Sequence, residues 1–84
     1  MNSAHAKTLA VIFSTPVPRS LAYRRVESLL LGLGCVKVEK SGSRVSFHKD
    51  GETLDLHRPH PDKEVKPYQV RLVRDFLERT GETP

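Results

Sequence analysis

Residues 55–61, with the sequence DLHRPHP, place two histidines and an arginine within one short stretch. Histidine suits proton transfer near neutral pH because its unperturbed pKa is about 6.5. Arginine suits phosphate because its planar guanidinium makes two-point contacts with phosphate oxygens. RNA cleavage without a metal needs such groups: a base for the 2′-hydroxyl, an acid for the leaving 5′-oxygen, and cations for the charge that develops on phosphorus. His57 and His60 are therefore the candidate proton carriers.

Positive charge elsewhere in the chain adds candidates for phosphate contact. The chain has 14 lysines and arginines against 10 acidic residues, a formal charge of +4, which favours RNA, DNA or an acidic protein as partner. Arg44 and Lys66 are the candidates for stabilising phosphate charge. The full set assigned to RNA contact is Ser43, Arg44, Arg58, Lys66, Arg71 and Arg74.

The pattern does not favour a metal site or a cofactor. His57 and His60 are three positions apart, so in an extended chain they point to opposite sides, and no carboxylate or cysteine completes a ligand set. The single cysteine, Cys35, has no companion and is interpreted as a core residue. The prediction is chemistry carried by side chains alone.

Length and hydropathy predict one small domain away from the membrane. The 84 residues allow a single sheet covered by a couple of helices. No apolar run approaches the roughly 18 residues of a spanning helix, so the expected location is the cytoplasm.

Three strand-like segments follow the middle of the chain, each with one apolar and one polar face. Apolar and polar residues alternate at 36–39, 44–48 and 53–57. Asp50-Gly51 is typical of a two-residue type I′ hairpin turn. Such a turn pairs Val45 with Leu56 and Arg44 with His57.

The connection before the second strand is predicted to be a four-residue loop, 40–43. In that register Glu39 pairs with Arg44 and extends the row of Arg44 and His57 across the polar face. Val36 and Val38 then lie on the apolar face with Phe47 and Val45.

Helical patterns flank the strands. One helix is predicted from a Ser20 cap to about Leu33, and another from Pro67 to about Arg79, with Arg71 and Arg74 outward. Residues 1–6 are expected to form a loose tail, and residues 7–13 a helix or a strand. The fold prediction is α+β, in the order α-β-β-β-α, with two helices covering one face of a three-stranded antiparallel sheet.

Four motifs follow one another along the chain: LLLGLG at the end of the first helix, SGSR entering the second strand, PHP at 59–61 and KEVKP leading into VRLVRDFLERTG. In this order and spacing they resemble the HicA toxins, small ribonucleases of bacterial type II toxin-antitoxin systems. The resemblance covers about residues 20 to 81. The chain is accordingly divided into an N-terminal extension, 1–18, and a HicA-like toxin domain, 19–84.

This resemblance implies a double-stranded-RNA-binding-domain-like fold, metal-independent cleavage of mRNA, and inhibition by a HicB antitoxin. Typical members carry the catalytic histidine directly after a glycine and a serine, where this sequence has Arg44. Catalysis then falls to His57, the predicted neighbour of Arg44, or to His60. The alternatives are a non-catalytic RNA-binding module and a protein-interaction domain.

Overall fold

Three helices and two antiparallel sheets make up the part of the chain that the computed structural model describes, residues 1–59 and 63–84. In chain order the elements are α1 (Ser3–Ile12), β1 (Leu21–Ala22), α2 (Tyr23–Gly32), β2 (Val36–Glu39), β3 (Arg44–Lys49), β4 (Glu52–His57), β5 (Glu64–Val65) and α3 (Pro67–Arg79). The three-stranded sheet has the order β2-β3-β4. The predicted α+β class with a three-stranded antiparallel sheet is confirmed.

The hairpin of β3 and β4 has the predicted register. Asp50 and Gly51 both have positive φ, 52° and 79°, as a type I′ turn requires. Val45 pairs with Leu56, and Arg44 pairs with His57. The two apolar pairs of this hairpin face the helices, so its polar side chains form the open face of the sheet.

The predicted register of β2 is wrong by one residue. Lys40 N donates to Arg44 O at 3.0 Å, so the loop has three residues, 41–43, with Gly42 at φ 68°. A glycine in this left-handed conformation is typical of three-residue hairpin loops. Val36 and Val38 therefore lie on the open face, where they are 63% and 41% exposed.

A small second sheet replaces the predicted start of the first long helix. β1 pairs with β5 in antiparallel register, Leu21 opposite Val65. Ser20 does not cap α2, because its hydroxyl donates to the Glu64 carboxylate, and α2 begins at Tyr23 without a side-chain cap. A two-residue strand gives too short a pattern to be recognised in the sequence.

The hydrophobic core lies between the three helices and one face of the main sheet. Helix α3 has the predicted bounds and buries its apolar stripe at helical spacing. The buried apolar residues are Leu9, Ile12, Leu21, Tyr23, Val26, Leu29, Leu30, Cys35, Val45, Phe47, Leu54, Leu56, Val65, Val70, Val73, Phe76 and Leu77. Cys35 is in the core, as predicted.

The N-terminal segment is a folded helix, so the expectation of a loose tail over residues 1–6 is wrong. Asn2 caps α1, its side-chain oxygen accepting from His5 N at 2.7 Å. At the other end of α1, Arg74 donates to the carbonyl oxygen of Ile12, at 3.0 and 2.7 Å, and to that of Ser14 at 2.7 Å. The expectation that Arg74 points outward is therefore also wrong.

In the described part of the chain, no helix is both long and apolar enough to cross a membrane.

Candidate functional site

Arg44 and His57 are direct cross-strand neighbours on the open face of the sheet. The next pair along, Ser43 and Arg58, is hydrogen-bonded, with Arg58 N donating to Ser43 O at 2.7 Å. Pairs alternate along an antiparallel ladder, so Arg44 and His57 form a non-hydrogen-bonded pair, the kind whose side chains are closer together. Their β-carbons are thus about 5 Å apart. Both side chains are exposed to solvent.

A surface depression of about 310 Å³ surrounds this pair. It is lined by Arg44, Val45, Asp55, Leu56 and His57. Arg44, Asp55 and His57 thus line one concave space, large enough for a phosphate group with part of its sugar. In the described residues, His57 makes no side-chain hydrogen bond, so both ring nitrogens are available to a substrate.

Sequence reasoning did not identify Asp55, which lines the depression, or Lys40, which lies outside it and pairs with Asp55. Lys40 Nζ lies 3.5 Å from Asp55 Oδ1 across the open face. Asp55 could have been found from the strand period of two, which places it on the same face as His57. Lys40 could not, because its position depends on the three-residue loop.

A second histidine on the same face is bonded within the protein. His48 Nε2 lies 3.0 Å from Ser46 Oγ, and His48 Nδ1 lies 3.1 Å from Thr53 Oγ1. Both ring nitrogens therefore already have partners. A substitution of His48 is therefore a suitable control for a substitution of His57.

A chain of ion pairs connects Arg58, the residue after His57, with β2 and α2. Arg58 Nη1 lies 2.9 Å from Glu39 Oε2, and Lys37 Nζ lies 3.1 Å from carboxylate oxygens of both Glu39 and Glu27. The Arg58 hydrogen bond, followed by that of Lys37, holds the pKa of Glu39 below its usual range. Glu39 thus faces the helix side and binds Arg58, so the predicted row of Glu39, Arg44 and His57 is wrong.

The other predicted RNA-contacting residues lie in different places. Ser43 is exposed in the loop before β3, Lys66 is exposed at the N-cap of α3, and Arg71 is exposed on α3. Neither Lys66 nor Arg71 is among the described residues that line the depression. Arg74 is held by the carbonyl groups at the end of α1. His60 lies outside the described residues.

Comparison of the sequence with protein-family models gives a match over most of the chain. The model of the HicA toxin of bacterial toxin-antitoxin systems matches residues 23–81, from the first residue of α2 to just beyond α3. The chain belongs to the HicA toxin family. A search of curated proteins and a search of solved structures each returned no significant match.

The range matched by the HicA family model includes most of the helices and strands but not α1. The matched range contains both strands that carry Arg44 and His57, so the depression lies wholly within the family domain. The matched range begins after α1 and β1. Leu9 and Ile12 of α1 nevertheless belong to the same core as the matched helices.

Proposed function

We propose that this HicA-family toxin is a metal-independent endoribonuclease that cleaves mRNA with His57 and Arg44. The observation that carries the proposal is the cross-strand pair of His57 and Arg44 beside one depression on the open sheet face. An imidazole that moves a proton and a guanidinium that binds phosphate are the two kinds of group that such cleavage requires. Their adjacency supports action on one phosphodiester.

The reaction divides between these side chains in a defined way. Arg44 binds the non-bridging phosphate oxygens and stabilises the negative charge that increases as the phosphorus becomes five-coordinate. The 2′-oxygen attacks phosphorus while its proton passes to a base, and the bond to the 5′-oxygen breaks as that oxygen receives a proton. The products are a 2′,3′-cyclic phosphate and a 5′-hydroxyl.

His57 acts in one of the two proton transfers. As a base it takes the proton from the 2′-hydroxyl, and as an acid it supplies the proton to the 5′-oxygen. His60, the other histidine of the stretch 55–61, stays the candidate for the other transfer. Lys66, Arg58, Ser43 and Arg71 remain the predicted contacts to the rest of the RNA.

Arg74 is the weakest member of the predicted RNA-binding set. Its guanidinium donates to the Ile12 and Ser14 carbonyl groups and lies over the ring of Phe13, 5.7 Å from the centroid. These contacts favour a structural role, and RNA binding by Arg74 stays a prediction.

The proposal includes a HicB-like antitoxin as the partner that silences the toxin. HicA-family toxins pair with antitoxins, and the open sheet face of this chain is accessible to a covering protein. Co-expression with a HicB-like protein is expected to restore growth to cells that express the toxin. A toxic protein whose effect no HicB-like protein relieves would contradict this part.

Induced expression with RNA integrity followed over time tests the cleavage. We expect wild type to arrest growth and shorten mRNA, and His57→Ala to lower the cleavage rate by about 10²- to 10⁴-fold, the usual contribution of a positioned acid or base. His60→Ala, made in parallel, tests the second proton carrier.

His48→Ala is the matched control, because it removes an imidazole from the same sheet face whose nitrogens are bonded within the protein. This variant should stay toxic. Full toxicity of His57→Ala would remove His57 from the mechanism. Wild-type protein that binds RNA without shortening it would instead identify a non-catalytic RNA-binding module.

A further inference from the structure

A second, larger concavity lies between α1 and α2, away from the open face of the sheet. Its volume is about 500 Å³, and the residues around it include His5, Lys7, Arg24, Arg25 and Ser28. His5 Nε2 lies 2.8 Å from Ser28 Oγ and so connects the two helices at this place. We call this concavity the α1–α2 cleft.

The α1–α2 cleft is strongly positive. No carboxylate is among the described residues that line it. Lys7, Arg24 and Arg25 form no ion pair within the described part of the chain. Three cations thus line one concave space, and none of them has a carboxylate partner among residues 1–59 and 63–84.

The position of two of these cations is unfavourable for the fold itself. Arg24 and Arg25 lie in the first turn of α2, which contains no acidic residue. The N-terminus of a helix carries partial positive charge, so cations there are destabilising and a bound anion is stabilising. A phosphate in the cleft would relieve this repulsion.

Shared and neighbouring lining residues relate the α1–α2 cleft to the candidate active site. Arg24 also lines a third hollow, of about 370 Å³, together with Tyr23, Glu27 and Arg58. Arg58 follows His57 directly in the chain, and His57 lines the depression on the sheet. An RNA strand that reaches both the depression and the α1–α2 cleft would therefore pass Arg58, whose side chain binds Glu39 on the helix side of the sheet.

We propose that the α1–α2 cleft binds backbone phosphates of a single-stranded RNA whose scissile bond lies beside His57. The occupant is a polyanion because the charged side chains among the described residues that line the cleft, Lys7, Arg24 and Arg25, are all cationic. It is single-stranded because a duplex, which in DNA is stiff over about 150 base pairs, cannot turn around a molecule whose shortest dimension is 21 Å. The inference rests on the proposed action on RNA and adds an RNA-binding surface built partly by α1.

Binding of 2′-O-methyl oligonucleotides tests this inference without cleavage, because they keep every phosphate but lack the attacking hydroxyl. Two lengths are used, about 4 and about 12 nucleotides, within the range that single-strand-binding surfaces cover. Lys7→Gln/Arg25→Gln is expected to weaken binding of the long oligonucleotide and to leave binding of the short one unchanged. When two phosphate contacts are lost, the slope of the logarithm of the association constant against the logarithm of the salt concentration becomes shallower by about 1.4.

The matched control is Lys49→Gln/Arg79→Gln, which also removes two positive charges. Lys49 pairs with Asp50, and Arg79 pairs with Glu52, near the hairpin turn at the far end of β3 from Arg44. This control should bind both lengths with nearly the wild-type slope, and circular dichroism verifies that both double variants are folded. An equal loss of affinity in the two double variants would contradict RNA binding by the α1–α2 cleft and would indicate a general effect of charge.

Two further outcomes separate this inference from the proposed function. Wild-type protein that binds the long oligonucleotide with a slope that Lys7→Gln/Arg25→Gln does not change would overturn only the role of the α1–α2 cleft. Wild-type protein that binds neither length even at low salt would overturn the proposed action on RNA as well.

Discussion

At the scale of single residues, the candidate site depends on one turn. Asp50 and Gly51 both adopt positive φ, which fixes a two-residue loop and thereby sets Arg44 opposite His57. A one-residue slip in this hairpin would turn Val45 and Leu56 to solvent, so burial and turn geometry select the same register. This agreement is why the pair could be predicted from the sequence.

The β2 register could not be predicted in the same way. The segment 40–43 contains two serines and a glycine and allows a loop of either three or four residues. Val36 and Val38 are apolar, so they were predicted to lie on the core face of β2. Both are exposed on the open face instead. On this edge strand the ion pairs of Lys37 and Glu39 lie on the helix side instead.

Arg44 gives a prediction that separates charge from geometry. Arg44→Ala is expected to lower the rate of RNA cleavage by about 10²- to 10³-fold, the range seen when a group that stabilises transition-state charge is removed. Arg44→Lys keeps the charge but not the two-point contact, so it should recover only part of that loss. Initial rates on a defined RNA measure both.

Lys40→Ala is the control for Arg44, because Lys40 is a cation on the same face whose partner is Asp55. Its loss should change the rate much less. If Arg44→Ala cleaved RNA as fast as wild type, Arg44 would have no part in the chemistry.

At the scale of elements, the docking of α1 on α2 depends on a glycine. A Cβ on Gly32 would lie 2.4 Å from His5 Cε1 and 2.7 Å from His5 Nδ1, so a larger residue must displace the ring. That displacement would break the contact of His5 with Ser28. Gly32 therefore allows α1 to approach closely enough to form one wall of the α1–α2 cleft.

A double-mutant cycle tests this packing. Alanine is a better helix residue than glycine by about 0.5–1 kcal/mol, so Gly32→Ala should stabilise the protein in a His5→Ala background. In the wild-type background the clash with His5 should cancel that gain or reverse it. Urea unfolding of the four proteins gives the coupling free energy, expected to be at least about 0.5 kcal/mol. Additive effects would mean that the ring moves away without cost.

The bounds of helix α3 could be predicted from the sequence, whereas the start of helix α2 could not. Pro67 at the first position and a regular apolar stripe fixed the bounds of α3. Before α2, Ser20 looked like a cap, but it belongs to the strand pairing that joins β1 to β5. That pairing joins segments more than forty residues apart in the chain, which no local pattern reveals.

At the scale of the whole molecule, the family match and the folded unit do not have the same limits. The HicA toxin model begins at residue 23, whereas Ile12 of α1 is fully buried in the shared core and Arg74 of α3 binds the end of α1. Helix α1 therefore adds both packing and one wall of a positive cleft to the HicA domain. Hydropathy alone left residues 7–13 open between helix and strand, because seven residues are too few to tell the two periods apart.

The most direct measurement is cleavage of one defined RNA by purified protein in the presence of a metal chelator. Wild type and His57→Ala are compared at equal concentration, with the ends of the products identified. We predict that wild type yields fragments with 2′,3′-cyclic phosphate ends and that His57→Ala, folded as judged by circular dichroism, yields almost none. Cleavage by His57→Ala at the wild-type rate, or intact RNA with active wild-type toxin, would contradict the proposed site.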